Sequence, residues 1–155
     1  MQSFFAEFEE RMTFLHDEIR RELARLPDEA LDWSPAADMN SIAVLITHLV
    51  GAERFWVGDV AMGESSERVR SAEFQVTNLT SEELDARLTA SLTYIRSVLP
   101  RFSIDDLELS RPAPGYAQTF TVGWSLLHAM EHTATHVGHI QMMRHYWQHV
   151  HVAEG

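Results

Sequence analysis

The stretch LLHAMEHTATHVGHI, residues 126–140, contains four of the nine histidines of the chain. Its spacing fits an α-helix, in which each residue turns the chain by about 100° and rises by about 1.5 Å. His132 and His136 are therefore one turn apart, the spacing at which two imidazoles can bind one metal ion. His128 shares this stripe but lies about 12 Å from His136 along the axis, too far to share an ion with it. A third ligand would have to come from another helix.

The side of this segment that carries the pair is mostly apolar. Five residues flank the pair at helical spacing: Leu126, Met130, Thr133, Val137 and Ile140. We therefore expect both imidazoles at or beside the buried face. Burying an imidazole without a partner is costly, so either a metal ion or a hydrogen-bond network must satisfy His132 and His136. The pattern alone leaves both interpretations open, because a buried histidine is often a hydrogen-bonded core residue.

His48 is the natural third ligand. It lies in AVLITHLVGAERFW, residues 43–56, where its helical neighbours Leu45, Ala52 and Phe55 are all apolar. It is thus expected on the core face of a second helix. Three histidines on the core faces of two helices favour a three-histidine metal site over isolated core histidines.

Three imidazoles leave part of the coordination sphere of an ion open. Closed structural zinc sites use four protein ligands, whereas catalytic zinc keeps three and a water. The predicted site therefore favours chemistry over a purely structural role. Nitrogen ligands suit zinc, nickel, copper or ferrous iron. We expect a divalent ion, with zinc first because it is common in such sites and nickel or iron as alternatives.

Four segments of the chain show helical periodicity, and helix-breaking residues lie between them. They cover residues 3–26, 41–62, 80–99 and 121–150, with Asn40 as a candidate cap for the second and a Thr80–Glu83 capping box opening the third. No stretch alternates as a strand does, and RPAPGYAQTF, residues 111–120, is expected to be a loop. The prediction is an all-α four-helix bundle, one domain over residues 1–155, with long crossover loops at 63–80 and 100–120.

Composition excludes several classes of protein. The net charge is −11 and every basic residue is arginine, which argues against a nucleic-acid partner. With no cysteine there is neither a disulfide nor a thiolate ligand. The amino terminus lacks the pattern of a secretion signal, and no apolar run approaches the roughly 20 residues of a membrane span. We expect a cytoplasmic protein that acts on a small molecule, with no membrane partner.

The remaining polar residues receive weaker assignments. His16 is expected to face solvent or the flank of its helix, and Glu53 to pair with an arginine. His139, three residues past His136, is expected beside the site or on the surface rather than as a ligand. Three histidines near the carboxyl terminus are expected in solvent: His145, His149 and His151.

Two stretches of the chain resemble a known family. LDWSPAADMNSIAVLITHLVGAERFW (residues 31–56) resembles the Trp-x-Pro turn, the Ser-Ile helix start and the His-Leu of the DinB-like superfamily. FTVGWSLLHAMEHTATHVGH (residues 120–139) resembles the fourth-helix signature of the same family, also called DinB/YfiT-like metal-dependent hydrolases. The family is unrelated to the DNA polymerase that shares its name.

The resemblance implies a four-helix bundle with a long crossover, often dimeric, and a metal ion held at the positions of His48, His132 and His136. One departure is visible. Many members read His-x-Gly-Gln, whereas this chain has His139 at the position of the glutamine. Members with assigned chemistry use thiols: they are S-transferases that use bacillithiol and a maleylpyruvate isomerase that uses mycothiol.

The leading expectation is a metal-dependent enzyme of the thiol S-transferase type, acting as a homodimer with a low-molecular-weight thiol as cosubstrate. His128, one turn from the pair, is the candidate catalytic acid or base. Two alternatives remain open: a metal-dependent hydrolase that activates water, and a metal-binding stress-response protein without turnover.

Overall fold

The structure, a computed structural model, describes residues 3–152. The helices are α1 (Ser3–Leu23), α2 (Ile42–Glu53), α3 (Arg70–Glu73), α4 (Ser81–Val98) and α5 (Val122–Val152), and a π-helical segment, Arg54–Met62, continues α2. Short 3-10 turns lie at Asp28–Ala30, Leu99–Arg101 and Ile104–Glu108, and the strands β1 (Ser110–Pro112) and β2 (Thr119–Thr121) form a hairpin.

The long helices form the bundle that their apolar stripes predict. α4 and α5 each pack against both α1 and α2. The buried faces match the predicted stripes, and the largest fully buried side chains come from all four helices: Phe5, Met12, Ile19, Ile42, Ile46, Leu49, Leu84, Leu88, Ile95 and Leu126. Burial of such apolar surface is the main force that stabilises the arrangement. The all-α bundle is therefore confirmed.

The helix starts follow local capping chemistry. The predicted capping box is present, since the Glu83 amide donates to Thr80 Oγ1 at 3.2 Å and the Thr80 amide donates to Glu83 Oε2 at 2.8 Å. For α2 the prediction of Asn40 as the cap was wrong by one residue. Ser41 is the cap, and its hydroxyl accepts from the Val44 amide at 3.3 Å.

The second predicted segment ends in an unusual geometry. Residues Arg54–Met62 form a π-helix, in which hydrogen bonds span five residues, and Gly63 terminates it with a φ of 72°. Arg54 and Asp59, five residues apart, form an ion pair of 3.0 Å. Segments of this kind occur often at functional sites, and this one lies beside the pocket described below.

The stretch expected to be wholly loop contains a small hairpin, so that expectation was wrong. β1 pairs antiparallel with β2, with Ser110 opposite Thr121 and Pro112 opposite Thr119. Each strand has three residues, which is too short to show alternation in the sequence. The hairpin leads directly into α5 and so fixes where the histidine helix begins.

A buried polar network joins the four long elements. Glu53 at the end of α2 is fully buried and contacts His16 Nε2 through Oε1 at 2.8 Å. Thr133 of α5 donates to the same oxygen at 2.7 Å, and Ser91 of α4 donates to Oε2. The expectations for His16 and Glu53 were wrong: His16 is buried, since it falls on the same face as Met12, and it replaces arginine as the partner of Glu53.

Candidate metal centre

Three histidines from two helices converge at one point. His48 of α2 and the pair His132 and His136 of α5 each place one ring nitrogen within 4.8 Å of the others. The ring centre of His48 lies 5.0 Å from that of His132 and 5.3 Å from that of His136. The structure therefore brings together the three residues expected from spacing.

The distance between the pair matches shared coordination. His132 Nε2 and His136 Nε2 are 3.3 Å apart. Two nitrogens that each lie 2.0–2.1 Å from one ion at a tetrahedral angle are separated by about 3.3 Å. The lone pairs of these two rings can thus meet on a single cation without movement of α5.

The surroundings keep the paired rings neutral, as metal ligation requires. Burial, together with the smaller effect of the nearby His136 and His48 as like charges, lowers the pKa of His132 to about 3. Burial also lowers the pKa of His136 to about 4, with contributions from His48 and His139. Near pH 7 both imidazoles therefore carry a free lone pair and no competing proton.

The third ring is held by a carboxylate. Glu73 of α3 accepts from His48 Nδ1 at 2.8 Å, so Nε2 is the nitrogen of His48 that is available to an ion. Arg68 binds the same carboxylate, with Nε 2.5 Å from Oε1 and Nη2 2.8 Å from Oε2. Burial by itself raises the pKa of Glu73, but hydrogen bonds from Arg68 and His48 outweigh it and hold that pKa below its ordinary value.

These features fit a divalent metal ion. The donor set is three imidazole nitrogens, one of them on a ring oriented by a carboxylate, as is common for zinc ligands. His132 Nδ1 is buried and has no hydrogen-bond partner among the described residues, so protein hydrogen bonds do not fully satisfy this ring. An ion bound at His132 Nε2 would leave this nitrogen unpaired as well, so the fit to a metal ion rests on the convergence of the three rings.

His139 lies next to the cluster but outside it. Its Nδ1 is 3.3 Å from His136 Nδ1, and its side chain is exposed. With His136 Nε2 directed at His132, this contact occupies the other nitrogen of the His136 ring. His139 thus sits where it can hold the orientation of His136, in keeping with the expectation of a place beside the site.

A pocket of about 410 Å³ opens over the cluster. His48 and His132 lie in its wall together with His128, Trp56 and Tyr116. Two arginines also line it, Arg68 and Arg70.

His128 is fixed by aromatic packing rather than by the cluster. Its ring stacks on Trp124 with a centre distance of 4.6 Å and stands on edge to Trp56 at 4.9 Å. The ring centre is 6.1 Å from that of His132, and Nδ1 lies 3.5 Å from Glu131 Oε2. His128 is therefore a wall residue of the pocket and not one of the three converging histidines.

Sequence reasoning missed Glu73 and Arg68. Both lie in residues 63–80, which were expected to be loop, and no periodic pattern marks them. The only sequence feature that pointed to them was their spacing: Arg68 and Glu73 are oppositely charged and five positions apart in a long connection. Which buried histidine they contact depends on the path of the loop.

A search for membrane-crossing helices among residues 3–152 finds none that is long and apolar enough.

The fold and the cluster define a helical-bundle protein with three histidines converging beside a pocket. The sequence matches the DinB superfamily over residues 11–140, and the chain belongs to this family. The resemblance seen in the two stretches of sequence is thereby confirmed. No curated protein matches the chain.

Solved structures show the same fold. A conserved protein from Enterococcus faecalis has a TM-score of 0.75 at 15% identity, over 93% of this chain and 96% of its own. A DinB-like protein from Bacillus cereus has a TM-score of 0.72 at 16% identity, covering 90% and 89% of the two chains. A DinB-like protein from Bacillus subtilis has a TM-score of 0.69 at 16% identity, over 91% of each. At these identities the likeness establishes the fold.

Proposed function

We propose that this protein is a metal-dependent enzyme of the S-transferase type. A divalent ion bound by His48, His132 and His136 would activate a low-molecular-weight thiol for attack on a small electrophile. The observation that carries the proposal is the convergence of three imidazoles, two of which line an open pocket.

The number of ligands supports chemistry rather than a structural role. Among residues 3–152, the group of metal-ligating side chains at this point consists of the three histidines alone. The nearest carboxylate, Glu73, is already engaged by His48 and Arg68. These three ligands would leave room on a bound ion for an exogenous ligand, as catalytic zinc sites do. We propose zinc as the ion, with nickel or iron as alternatives.

A bound divalent ion lowers the pKa of a thiol or water that reaches it and so supplies a nucleophile near neutral pH. The chain contains no cysteine, so the sulfur must come from a small cosubstrate. The pocket volume of about 410 Å³ falls within the range of small-molecule sites. Its aromatic wall, with Trp56 and Tyr116, provides apolar surface for the body of a substrate.

His128 is proposed as the acid or base. It lines the same pocket as two of the ligands, and its ring is held between Trp56 and Trp124. In the transfer step the sulfur forms a bond to carbon, and the leaving group takes the bonding electron pair. A proton from His128 then neutralises the leaving group. Because two indoles restrain the ring, little orientational freedom is lost when it acts.

The assembly state belongs to this proposal as well. The homodimer implied by the family resemblance is proposed for this chain. Light scattering coupled to size-exclusion chromatography measures it directly, and a mass of one chain at micromolar concentration would contradict it.

The test is a screen of zinc-loaded and nickel-loaded protein against alkyl halides and epoxides, with and without bacillithiol or mycothiol. Thioether formation that needs metal, thiol and protein together is the expected result, measured by mass spectrometry. Turnover without thiol would assign the protein as a hydrolase instead. Stoichiometric metal with no turnover of any substrate would favour a binding protein and contradict the enzyme proposal.

A further inference from the structure

We propose that Glu73, clamped by Arg68 and accommodated by Gly51, is a positioning residue that fixes the tautomer and orientation of His48. It would thereby set the affinity of the three-histidine cluster for its ion. This inference rests on the proposed metal-binding function and adds to it residues that donate no ligand atom.

The contact between Glu73 and His48 determines which nitrogen faces the cluster. Nδ1 of His48 lies 2.8 Å from Glu73 Oε2, and the two side chains are only 11% and 9% exposed. An ionised carboxylate only accepts hydrogen bonds. Nδ1 must therefore carry a proton, so Nε2 is the nitrogen that can offer a lone pair to an ion. The same contact fixes rotation of the ring about its Cβ–Cγ bond, so the lone pair keeps one direction.

Arg68 keeps the carboxylate charged and oriented. It makes two hydrogen bonds to Glu73, one to each oxygen, in the forked geometry typical of strong arginine–carboxylate pairs. The loop that carries Arg68 is itself anchored, because the amide and hydroxyl of Ser66 donate to Asp59 at 2.9 and 2.7 Å. The clamp is thus built from contacts independent of the other two histidines.

Gly51 provides the space in which the carboxylate sits. A Cβ atom at this position would lie 2.2 Å from Glu73 Oε1 and 2.9 Å from its Cδ. Glycine inside a helix costs about 1 kcal/mol relative to alanine. The close approach of the Glu73 carboxylate to α2 explains why a glycine occupies position 51 despite this cost. Gly51 is three residues from His48, so the carboxylate lies on the helix surface directly beside the ring.

The first test measures zinc and cobalt affinity of the metal-free protein by competition with a chromophoric chelator. Glu73→Ala is expected to weaken binding by about 10–100-fold, the usual loss when a partner of a metal-bound histidine is removed. Glu73→Gln can still accept a hydrogen bond from Nδ1 but lacks the charge. Its metal affinity should lie between those of the wild type and Glu73→Ala. Glu64→Gln is the matched control, since this carboxylate of the same loop pairs with Arg101 away from the cluster and should bind as wild type does.

The second variant separates positioning from folding. Gly51→Ala improves helix propensity and removes no polar group, yet it must displace Glu73. It should therefore lose metal affinity to a similar extent as Glu73→Ala. The double variant Gly51→Ala with Glu73→Ala should lose no more than Glu73→Ala alone, since both changes break the same contact.

Nitrogen-15 NMR of the metal-free protein provides a readout that a general structural role would not move. His48 should be an Nδ1–H tautomer in the wild type and a mixture in Glu73→Ala. If the wild type binds metal stoichiometrically but Glu73→Ala, Glu73→Gln and Gly51→Ala bind equally well, this inference is wrong and the proposed function stands. If the wild type binds no metal, both fail together.

Discussion

Thr133 offers a clean test of the buried network at the centre of the bundle. Its hydroxyl accounts for two contacts: it donates to Glu53 Oε1 at 2.7 Å, and it lies 3.0 Å from the carbonyl of Ala129. The side chain is fully buried. Thr133→Val keeps the shape and removes the hydroxyl. Glu53 then keeps its contacts with His16 and Ser91 but loses one of its donors.

The expected loss of stability follows from these contacts. A hydrogen bond to a charged acceptor contributes about 1.5–3 kcal/mol, whereas the extra buried methyl returns about 1 kcal/mol. The free energy of unfolding should therefore fall by about 0.5–2 kcal/mol. For a chain of this size, a change of 1 kcal/mol lowers the melting temperature by about 2–4 °C.

Urea unfolding of the metal-free protein measures the change, with Thr135→Val as the matched control. Thr135 lies two residues after Thr133 on α5 and is exposed. Its hydroxyl donates to the carbonyl of Glu131 at 3.0 Å. The control measures the same loss of a hydroxyl on α5 where that hydroxyl donates only to its own helix, so the difference between the two variants reports on the bond to Glu53. If Thr133→Val and Thr135→Val differ by less than about 0.5 kcal/mol, the usual size of a surface effect, the Glu53 network does not stabilise the bundle.

The remaining predictions concern pH, catalysis and the backbone. Because the pKa values of His132 and His136 are lowered to about 3 and about 4 from 6.5, the unfolded chain binds more protons below pH 6.5. The metal-free protein should then become less stable as pH falls below 6.5 towards 4, with a slope well under the limit of about 1.4 kcal/mol per pH unit for each ring, because solvent screens these half-buried side chains. If urea melts show that His132→Gln leaves the dependence of stability on pH unchanged, this prediction is wrong. His128→Gln should lower kcat by about 10²–10⁴-fold with the metal content unaltered, and loss of metal would instead make His128 a ligand. Gly63→Ala should lower the free energy of unfolding by about 1–2 kcal/mol, because Gly63 has a φ of 72°; an added Cβ would meet no neighbour, so the cost comes from the backbone alone. Thermal melts that match the wild type would show that the turn relaxes.

The bundle could be predicted from the sequence because its helices carry long apolar stripes. α4, for example, buries Leu84, Leu88 and Leu92 as their spacing requires, and its capping box fixes its start. Periodicity of this kind depends only on local geometry. The hairpin at residues 110–121 could not be found in this way, because three-residue strands contain too few positions to alternate.

The candidate site was predictable to the extent that it lies on helices. His132 and His136 are one turn apart, and His48 lies on an apolar face, so their convergence follows from the packing of α2 against α5. Glu73 reaches His48 across 25 positions through a connection without periodic pattern. Contacts of this kind depend on tertiary structure, and neither composition nor spacing could reveal them.

The partnership of His16 and Glu53 shows a second limit. His16 lies four residues from Met12, so its place on the buried face was visible, but its burial depends on a carboxylate 37 positions away. A histidine or glutamate considered alone is expected at the surface, since burial without a partner is costly. Only the assembled bundle supplies that partner.

The central claim is that His48, His132 and His136 bind one divalent ion. The most direct measurement is the metal content of protein purified without a histidine tag, by mass spectrometry of the metal, for the wild type and His132→Ala. We expect close to one ion per chain in the wild type, loss of that ion in the variant, and a rise in melting temperature on zinc addition for the wild type only. A wild-type protein that carries no stoichiometric metal and gains no thermal stability from zinc or nickel would contradict it.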